Sequence, residues 1–75
     1  MFTNTEVTLR KQNGEEYTNI PADVQPKIIF VDDDMLPIEE NDYIIRKLPN
    51  GLEEKYIVIN RGFYGDHYQV EVRRA

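Results

Sequence analysis

Alternating hydrophobic and polar residues surround Asn13-Gly14, near the start of the chain. Asn and Gly both tolerate the positive φ angles that tight hairpin turns require. A two-residue loop here predicts a hairpin of residues 5–11 and 15–20, because a slip of one residue would separate the apolar side chains. The predicted register places four side chains on one face: Val7, Leu9, Thr18 and Ile20.

A second hairpin is predicted around Asn50-Gly51, which follows a proline. Pro49 favours a three-residue loop, since proline suits the first central position of a type I turn and Gly51 can adopt the left-handed conformation after it. This loop also places Arg46 opposite Glu54, whereas a two-residue loop would oppose Arg46 and Lys55. Opposite charges across strands are stabilising and like charges are not.

The remaining strand signals differ in character. Residues 27–31 and 56–59 are apolar without alternation, which predicts strands covered on both faces. Residues 67–73 alternate cleanly, with Tyr68 and every second residue after it pointing inward. Pro21 and Pro26 bracket a stretch that we expect to link strands, because neither proline can donate to a ladder.

These segments predict a single all-β domain over residues 1–75, with five or six short strands. A small antiparallel barrel or half-open barrel built on the two hairpins is the expected architecture, and an open two-layer sheet is the alternative. The expected core consists of apolar residues drawn from all strands: Val7, Leu9, Ile20, Ile28, Phe30, Ile44, Ile57, Val70 and Val72.

Charge and composition narrow the possible functions. The net charge is −5, and residues 32–42 hold six acidic residues and no basic one. This distribution argues against direct binding of nucleic acid or of an anionic membrane surface, both of which need basic patches. The chain has no cysteine, and no segment suits a signal peptide or a membrane helix, so we expect a cytoplasmic protein.

No residue pattern indicates catalysis, a cofactor or a metal ion. The acidic run Asp32-Asp33-Asp34 lacks the alternation of a calcium loop, and consecutive acids on extended chain point to opposite sides. His67 is the single histidine, and strand alternation turns it outward, away from any cleft that acid–base catalysis would need. We therefore expect a protein that is not an enzyme and holds no cofactor.

Aromatic and basic residues cluster in the segment 61–68, which we expect to be a loop. Arg61, Phe63, Tyr64 and His67 match the composition of protein interfaces, which are rich in aromatic residues and arginine. Phe63 or Tyr64 could alternatively plug the open end of a barrel. Together with Asp32, Asp33 and Asp34, these residues form the predicted partner-binding surface.

Several motifs after residue 35 resemble a group of short uncharacterised proteins from bacteria and their prophages. The shared pattern is LPIEE at 36–40, RKLPNGLEE at 46–54, GFY at 62–64 and HYQ at 67–69. That group has glycine where this chain has Asn41, a residue that can also adopt the left-handed conformation. It also has a longer stretch between its last two motifs. The resemblance implies a phage or prophage setting and no activity.

Three functional hypotheses follow. The first is a protein–protein interaction module, an accessory factor or an inhibitor of a host protein in the host cytoplasm. The second is a virion or assembly component that forms a ring or neck, and a homo-oligomer is possible in either case. The third is an acidic mimic of nucleic acid, which rests on residues 32–42 alone.

Overall fold

A computed structural model of the chain describes residues 5–32, 35–63 and 67–75. Six antiparallel strands close into a small barrel in the order β1-β2-β3-β6-β5-β4. The strands are β1 Thr5–Arg10, β2 Glu16–Val24, β3 Ile28–Val31, β4 Tyr43–Lys47, β5 Glu53–Phe63 and β6 Tyr68–Arg74. The predicted small all-β barrel is therefore confirmed.

The barrel consists of two three-stranded meanders, β1–β3 and β4–β6, that join edge to edge. β1 pairs with β4, and β3 pairs with β6. We call the end of the barrel that carries the β1–β2 loop and the crossover 35–42 the upper end. The lower end carries the β4–β5 loop and the end of β6. Because these two pairings close the sheet, each strand has a neighbour on either side along at least part of its length.

The β4–β5 hairpin has the predicted three-residue loop. Lys47 pairs with Glu53 and Arg46 pairs with Glu54. Gly51 has a φ of 88°, which only glycine adopts without strain. The amide of Leu52 also donates to Oδ1 of Asn50 at 3.0 Å. Charge pairing and turn chemistry were thus sufficient to predict this hairpin.

The β1–β2 hairpin differs from the prediction. Its loop has three residues, because Lys11 N donates to Glu15 O at 2.8 Å, and Leu9 pairs with Tyr17 rather than Thr18. Val7 still pairs with Ile20, so β2 must contain one extra residue. A β-bulge between the two pairs absorbs it, and Asn19 there has a φ of 58°. Thr18 is consequently exposed instead of facing the core.

The core confirms most of the expected residues and corrects three. Ile28, Phe30 and Ile57 are only half-buried and lie on the outer face of the barrel. Their neighbours in the sequence face inward instead. The sequence could not show this, because an unbroken run of apolar residues does not indicate which alternate residues face the core. Tyr68 is buried, as the alternation of its strand predicts, and the other buried apolar residues outside the expected core are Ala22, Ile29, Val31, Leu36, Ile38, Ile45, Tyr56 and Val58.

The stretch that follows Pro21 also differs from the prediction. β2 runs through Pro21 to Val24 rather than ending before the proline. Pro21 lies opposite Glu6, and its carbonyl accepts a hydrogen bond from Asp32 N at 3.1 Å. The missing N–H of the proline is compatible with this position, where only the carbonyl is used.

A buried ion pair anchors the crossover between the two meanders. Asp42, the buried charged residue of the described chain, is 1% exposed. Its Oδ2 lies 2.6 Å from Lys11 Nζ and accepts a hydrogen bond from Glu39 N at 2.9 Å. Lys11 Nζ also contacts Glu39 Oε1 at 2.9 Å and the carbonyl of Pro37. These contacts hold Leu36 and Ile38 in the core at the upper end.

Replacement of a core isoleucine tests the assignment of faces. Ile44→Ala should reduce the free energy of unfolding by about 2–5 kcal/mol, because Ile44 is 1% exposed and its removal leaves a cavity. Ile59→Ala is the matched control, since Ile59 is 43% exposed, and it should cost less than about 1 kcal/mol. Urea unfolding measures the free energy of unfolding of both variants. Equal losses would contradict the assignment of Ile44 to the core and Ile59 to the surface.

The turn glycines provide a second test. Gly14→Ala and Gly51→Ala should each cost roughly 1 kcal/mol, since φ is 94° and 88° there and an added Cβ would meet no neighbour. The asparagine variants should cost less, because asparagine adopts positive φ more readily than alanine. If the alanine variants melted at higher temperatures than the asparagine variants at both positions, the positive φ would not explain the loss of stability.

Candidate functional site

The upper ends of β3, β6 and β5 bring together three of the predicted partner-binding residues. Val31 and Phe63 both pair with Tyr68, so Asp32, His67 and Phe63 lie at the same end of three adjacent strands. Asp33, Asp34 and Tyr64 lie outside the described residues. We call this region, together with the last five residues of β5, the upper-end surface.

Arg61 and Phe63 belong to a strand, which corrects the prediction of a loop. β5 continues to Phe63, where Arg61 pairs with Val70. A bulge between Val58 and Asn60 shifts the register of β5 against β6 by one residue. After the bulge, the odd-numbered residues of β5 lie opposite residues of β6 that face the core. Arg61 and Phe63 are therefore held by the sheet and not by a loop.

Phe63 is neither a buried plug nor an isolated aromatic residue. Its side chain packs edge-to-face against Tyr68, with ring centroids 5.1 Å apart and an angle of 61°. Tyr68 is 8% exposed, whereas Phe63 is 49% exposed. Such a contact contributes about 0.5–1.5 kcal/mol beyond burial and holds the exposed ring in one orientation. His67 is half-buried, and its ring lies 6.3 Å from the ring of Phe30.

The ladder between β4 and β5 covers only the first part of β5. The ladder with β4 ends at the pair of Tyr43 and Ile57. Asn41 N and Asp42 O extend it by hydrogen bonds to Val58, at 2.8 and 2.9 Å. Within the described residues, no strand pairs with Ile59–Phe63 on that side. β5 has eleven residues and β4 has five, so the excess length of β5 creates this edge.

An open groove runs along the outer face of β3, β6 and β5, with a volume of about 410 Å³. Gly62 contributes to it because it carries no side chain beside Gln69, its partner on β6. Lys27 and Arg61 make the lining basic, and Glu71 supplies one carboxylate. The groove is shallow and polar, and it adjoins the edge of β5.

A second cluster of charges fills the lower end of the barrel. Glu54 accepts hydrogen bonds from Arg46 Nε at 2.7 Å, from Tyr56 Oη at 3.1 Å and from Arg74 Nη1 at 3.3 Å. Arg74 also lies over the ring of Tyr56, 5.6 Å from its centroid. Because each charged group has a partner, this cluster closes the barrel end, and a cavity of about 240 Å³ lies beside it.

The pKa values of this cluster follow from its hydrogen bonds. The bonds from Arg46 outweigh desolvation and lower the pKa of Glu54 below its ordinary 4.5. Burial, and then the bond to Glu54, raises the pKa of Tyr56 above its ordinary 10.0. Glu54 is thus ionised and Tyr56 is a neutral donor at pH 7, as a structural cluster requires.

The described residues contain no group of three or more side chains placed to hold a metal ion. They also contain no helix long and apolar enough to cross a membrane. No protein-family model matches the chain, and comparisons with curated proteins and with solved structures give no match. The candidate site therefore rests on the geometry of the upper-end surface.

The prediction from sequence found the residues of this surface but not the edge on which they lie. The available signal was the length of the apolar and alternating segment after Glu53, which exceeds that of the segment before Lys47. Paired strands of unequal length leave one edge uncovered. The bulge at Ile59 carried no such signal, since Ile59-Asn60 contains neither glycine nor proline.

The Glu54 cluster predicts a specific loss of stability in acid. The pKa of Glu54 is lower in the folded state than in the unfolded state, so its ionised form stabilises the fold at pH values above the unfolded pKa, near 4.5. This stabilisation is lost as the pH falls through the folded pKa. The difference in unfolding free energy between the parent and Glu54→Gln should therefore shrink as the pH falls from about 6 to about 3. Urea unfolding at each pH measures it.

Glu53→Gln is the control for this experiment. Glu53 is an exposed neighbour on the same strand and faces Lys47 across the hairpin. Its replacement should change stability by less than about 0.5 kcal/mol at any pH, as exposed pairs do. If Glu54→Gln lost the same unfolding free energy at every pH, the ionised Glu54 carboxylate would not be what stabilises the cluster.

Proposed function

We propose that this protein is a non-enzymatic protein-binding module whose contact surface is the upper-end surface. The observation that carries the proposal is Phe63, which is 49% exposed on a strand edge that no other described strand covers. An exposed aromatic residue held in one orientation binds at low entropic cost, because little of its freedom remains to be lost. Arg61 lies two residues away, and arginine and aromatic residues dominate interface energies.

The charge of the upper end supports a protein partner over nucleic acid. Asp32 directly follows β3 and belongs to the surface, and a carboxylate repels a phosphate backbone. Arg61 supplies a positive charge within the same surface. Mixed charges around an exposed aromatic residue are typical of the rim and centre of protein interfaces.

The acidic-mimic hypothesis receives less support. Glu39 and Asp42 were two of the six acids on which it rested, and both pair with Lys11. This pairing reduces the negative charge that residues 32–42 can offer to a basic groove. A ring or neck component stays a second hypothesis, and a closed oligomer in native mass spectrometry would favour it.

The biological setting that we propose rests on the resemblance to short prophage proteins. A non-enzymatic module encoded by a mobile element would act by occupying a host or phage protein in the host cytoplasm. We therefore propose an accessory factor or an inhibitor.

A double substitution tests the surface. Arg61→Ala with Phe63→Ala should weaken binding to a partner captured from the native host by at least about 30-fold, equivalent to about 2 kcal/mol. The melting temperature should fall by no more than about 10 °C, because both side chains are exposed and only the contact of Phe63 with Tyr68 is lost. Affinity by surface plasmon resonance and thermal melts are measured on the same preparations.

The matched control is Leu52→Ala with Arg73→Ala. Both residues are exposed, and both lie toward the lower end of the barrel. This control should bind as tightly as the parent. The proposal fails if the two double variants bind equally well, or if the Arg61 and Phe63 variant loses binding only in proportion to lost stability.

A further inference from the structure

We infer that the free edge of β5 binds a partner by strand addition, and that the added strand carries a carboxylate opposite Arg61. This inference rests on the proposed function and specifies how the upper-end surface makes contact. In strand addition, an extended peptide extends an existing sheet. Backbone hydrogen bonds supply the affinity and alternate side chains supply the specificity.

The backbone groups that face the free side can be assigned from the alternation of the strands. Val72 N donates to Lys27 O at 2.9 Å, so Val72 turns its backbone toward β3. Val70 does the same, and Gln69 and Glu71 turn toward β5. Asn60 and Gly62, which lie opposite Glu71 and Gln69, therefore bond to β6.

Arg61 and Phe63 consequently turn their N–H and C=O groups away from β6. Within the described residues, no backbone group on that side pairs with them. Arg61 N donates to Oδ1 of Asn60, the preceding side chain, at 2.9 Å. This local bond keeps the donor satisfied, and an incoming carbonyl can replace it at little cost. The spacing of Arg61 and Phe63 matches that of alternate residues on an added strand.

The charge at this edge favours a different chain over a second copy. In a symmetric pairing centred on Arg61, two guanidinium groups would face each other, and each chain carries a net charge of −5. A bulge and a charged residue are also the devices by which proteins prevent self-association of edges. A carboxylate on the added strand instead neutralises Arg61, which forms no ion pair with the other described residues.

The exposed ring beside Arg61 defines the rest of the ligand. Phe63 is 49% exposed and lies on the same face of β5 as Arg61, because both residues pair with core-facing residues of β6. An added strand covers the ring with the side chain two positions from its carboxylate. The expected ligand is an extended segment in which an acidic residue lies two positions from a β-branched or aromatic residue.

A selection from a random peptide library displayed on phage tests the ligand chemistry. Selected peptides should contain an acidic residue two positions from a β-branched or aromatic one. Arg61→Glu should weaken their binding by about tenfold or more, and a lysine in place of the peptide's acid should restore binding to that variant. Selected peptides that bind Arg61→Glu as tightly as the parent would overturn the inference, as would a selection that yields no binder.

The backbone contact needs a separate measurement. Hydrogen exchange of the Phe63 amide, followed by NMR, should slow at least about tenfold when a selected peptide binds. Phe63→Pro removes the outward N–H as well as the ring, so it should weaken binding about tenfold more than Phe63→Ala. If Phe63→Pro does not fold, the exchange measurement on the parent chain decides.

These outcomes separate the inference from the proposed function. Partner binding that depends on Arg61 and Phe63 while the Phe63 amide stays unprotected would refute strand addition and leave the interaction module in place. A dimer of the parent chain in native mass spectrometry that Phe63→Ala dissociates would identify a second copy as the occupant, and would overturn the inference.

Discussion

The ion pair between Lys11 and Asp42 determines how the two halves of this barrel join. Lys11 directly follows the first strand, and Asp42 directly precedes the fourth, so their contact links the meanders at the upper end. Breaking a buried pair by removing one partner typically costs about 3–5 kcal/mol, because the remaining charge stays buried.

Hydrogen bonds around the pair extend its effect to other elements. Glu39 N and Lys11 Nζ both donate to the Asp42 carboxylate, and Val58 N donates to the Asp42 carbonyl. Burial alone would lower the pKa of Lys11, but its bonds to Asp42 and Glu39 outweigh desolvation and raise it. Lys11 therefore stays charged across the neutral range. Asn41, with a φ of 71°, turns the chain into this arrangement.

The first hairpin of each meander has the same loop structure, although the chain shows no evident repeat in its sequence. Both hairpin loops have the same backbone bonds, from Lys11 to Glu15 and from Leu48 to Leu52, each 2.8 Å. When the loops are aligned, Thr8 corresponds to Ile45, and these residues face each other directly. An approximate two-fold axis therefore passes between β1 and β4. The aligned loops share only Asn-Gly and one glutamate, which is too little to reveal the repeat.

The sequence predicted the features that depend on local chemistry. Pro49 and the charge pairs determined the second hairpin, and Tyr68, Val70 and Val72 alternate in the structure as they do in the sequence. The faces of β5 could also have been predicted, because the register that opposes Arg46 and Glu54 places Tyr56 opposite Ile44. Assigning Ile57 to the core contradicted that register.

What could not be predicted depends on bulges and on strand lengths. The bulge at Asn19 moves Tyr17 into partial contact with the core and Thr18 out of it. Asparagine at a positive φ is compatible with many turns, so the residue alone did not locate the bulge. The same limit applied at Ile59, where no residue type signals the change of register.

The bulge at Ile59 connects the fold to its proposed use. Without it, the residues of β5 after Val58 would keep the earlier alternation. Asn60 and Gly62, rather than Arg61 and Phe63, would then lie opposite Val70 and Tyr68, the core-facing residues of β6. Phe63 would then lose its contact with Tyr68. One inserted residue thus places an aromatic ring and a guanidinium group on the same side of an unpaired edge. A closed barrel has no free edge when its strands are equal in length, so the long fifth strand and its bulge together create the surface that a partner can use.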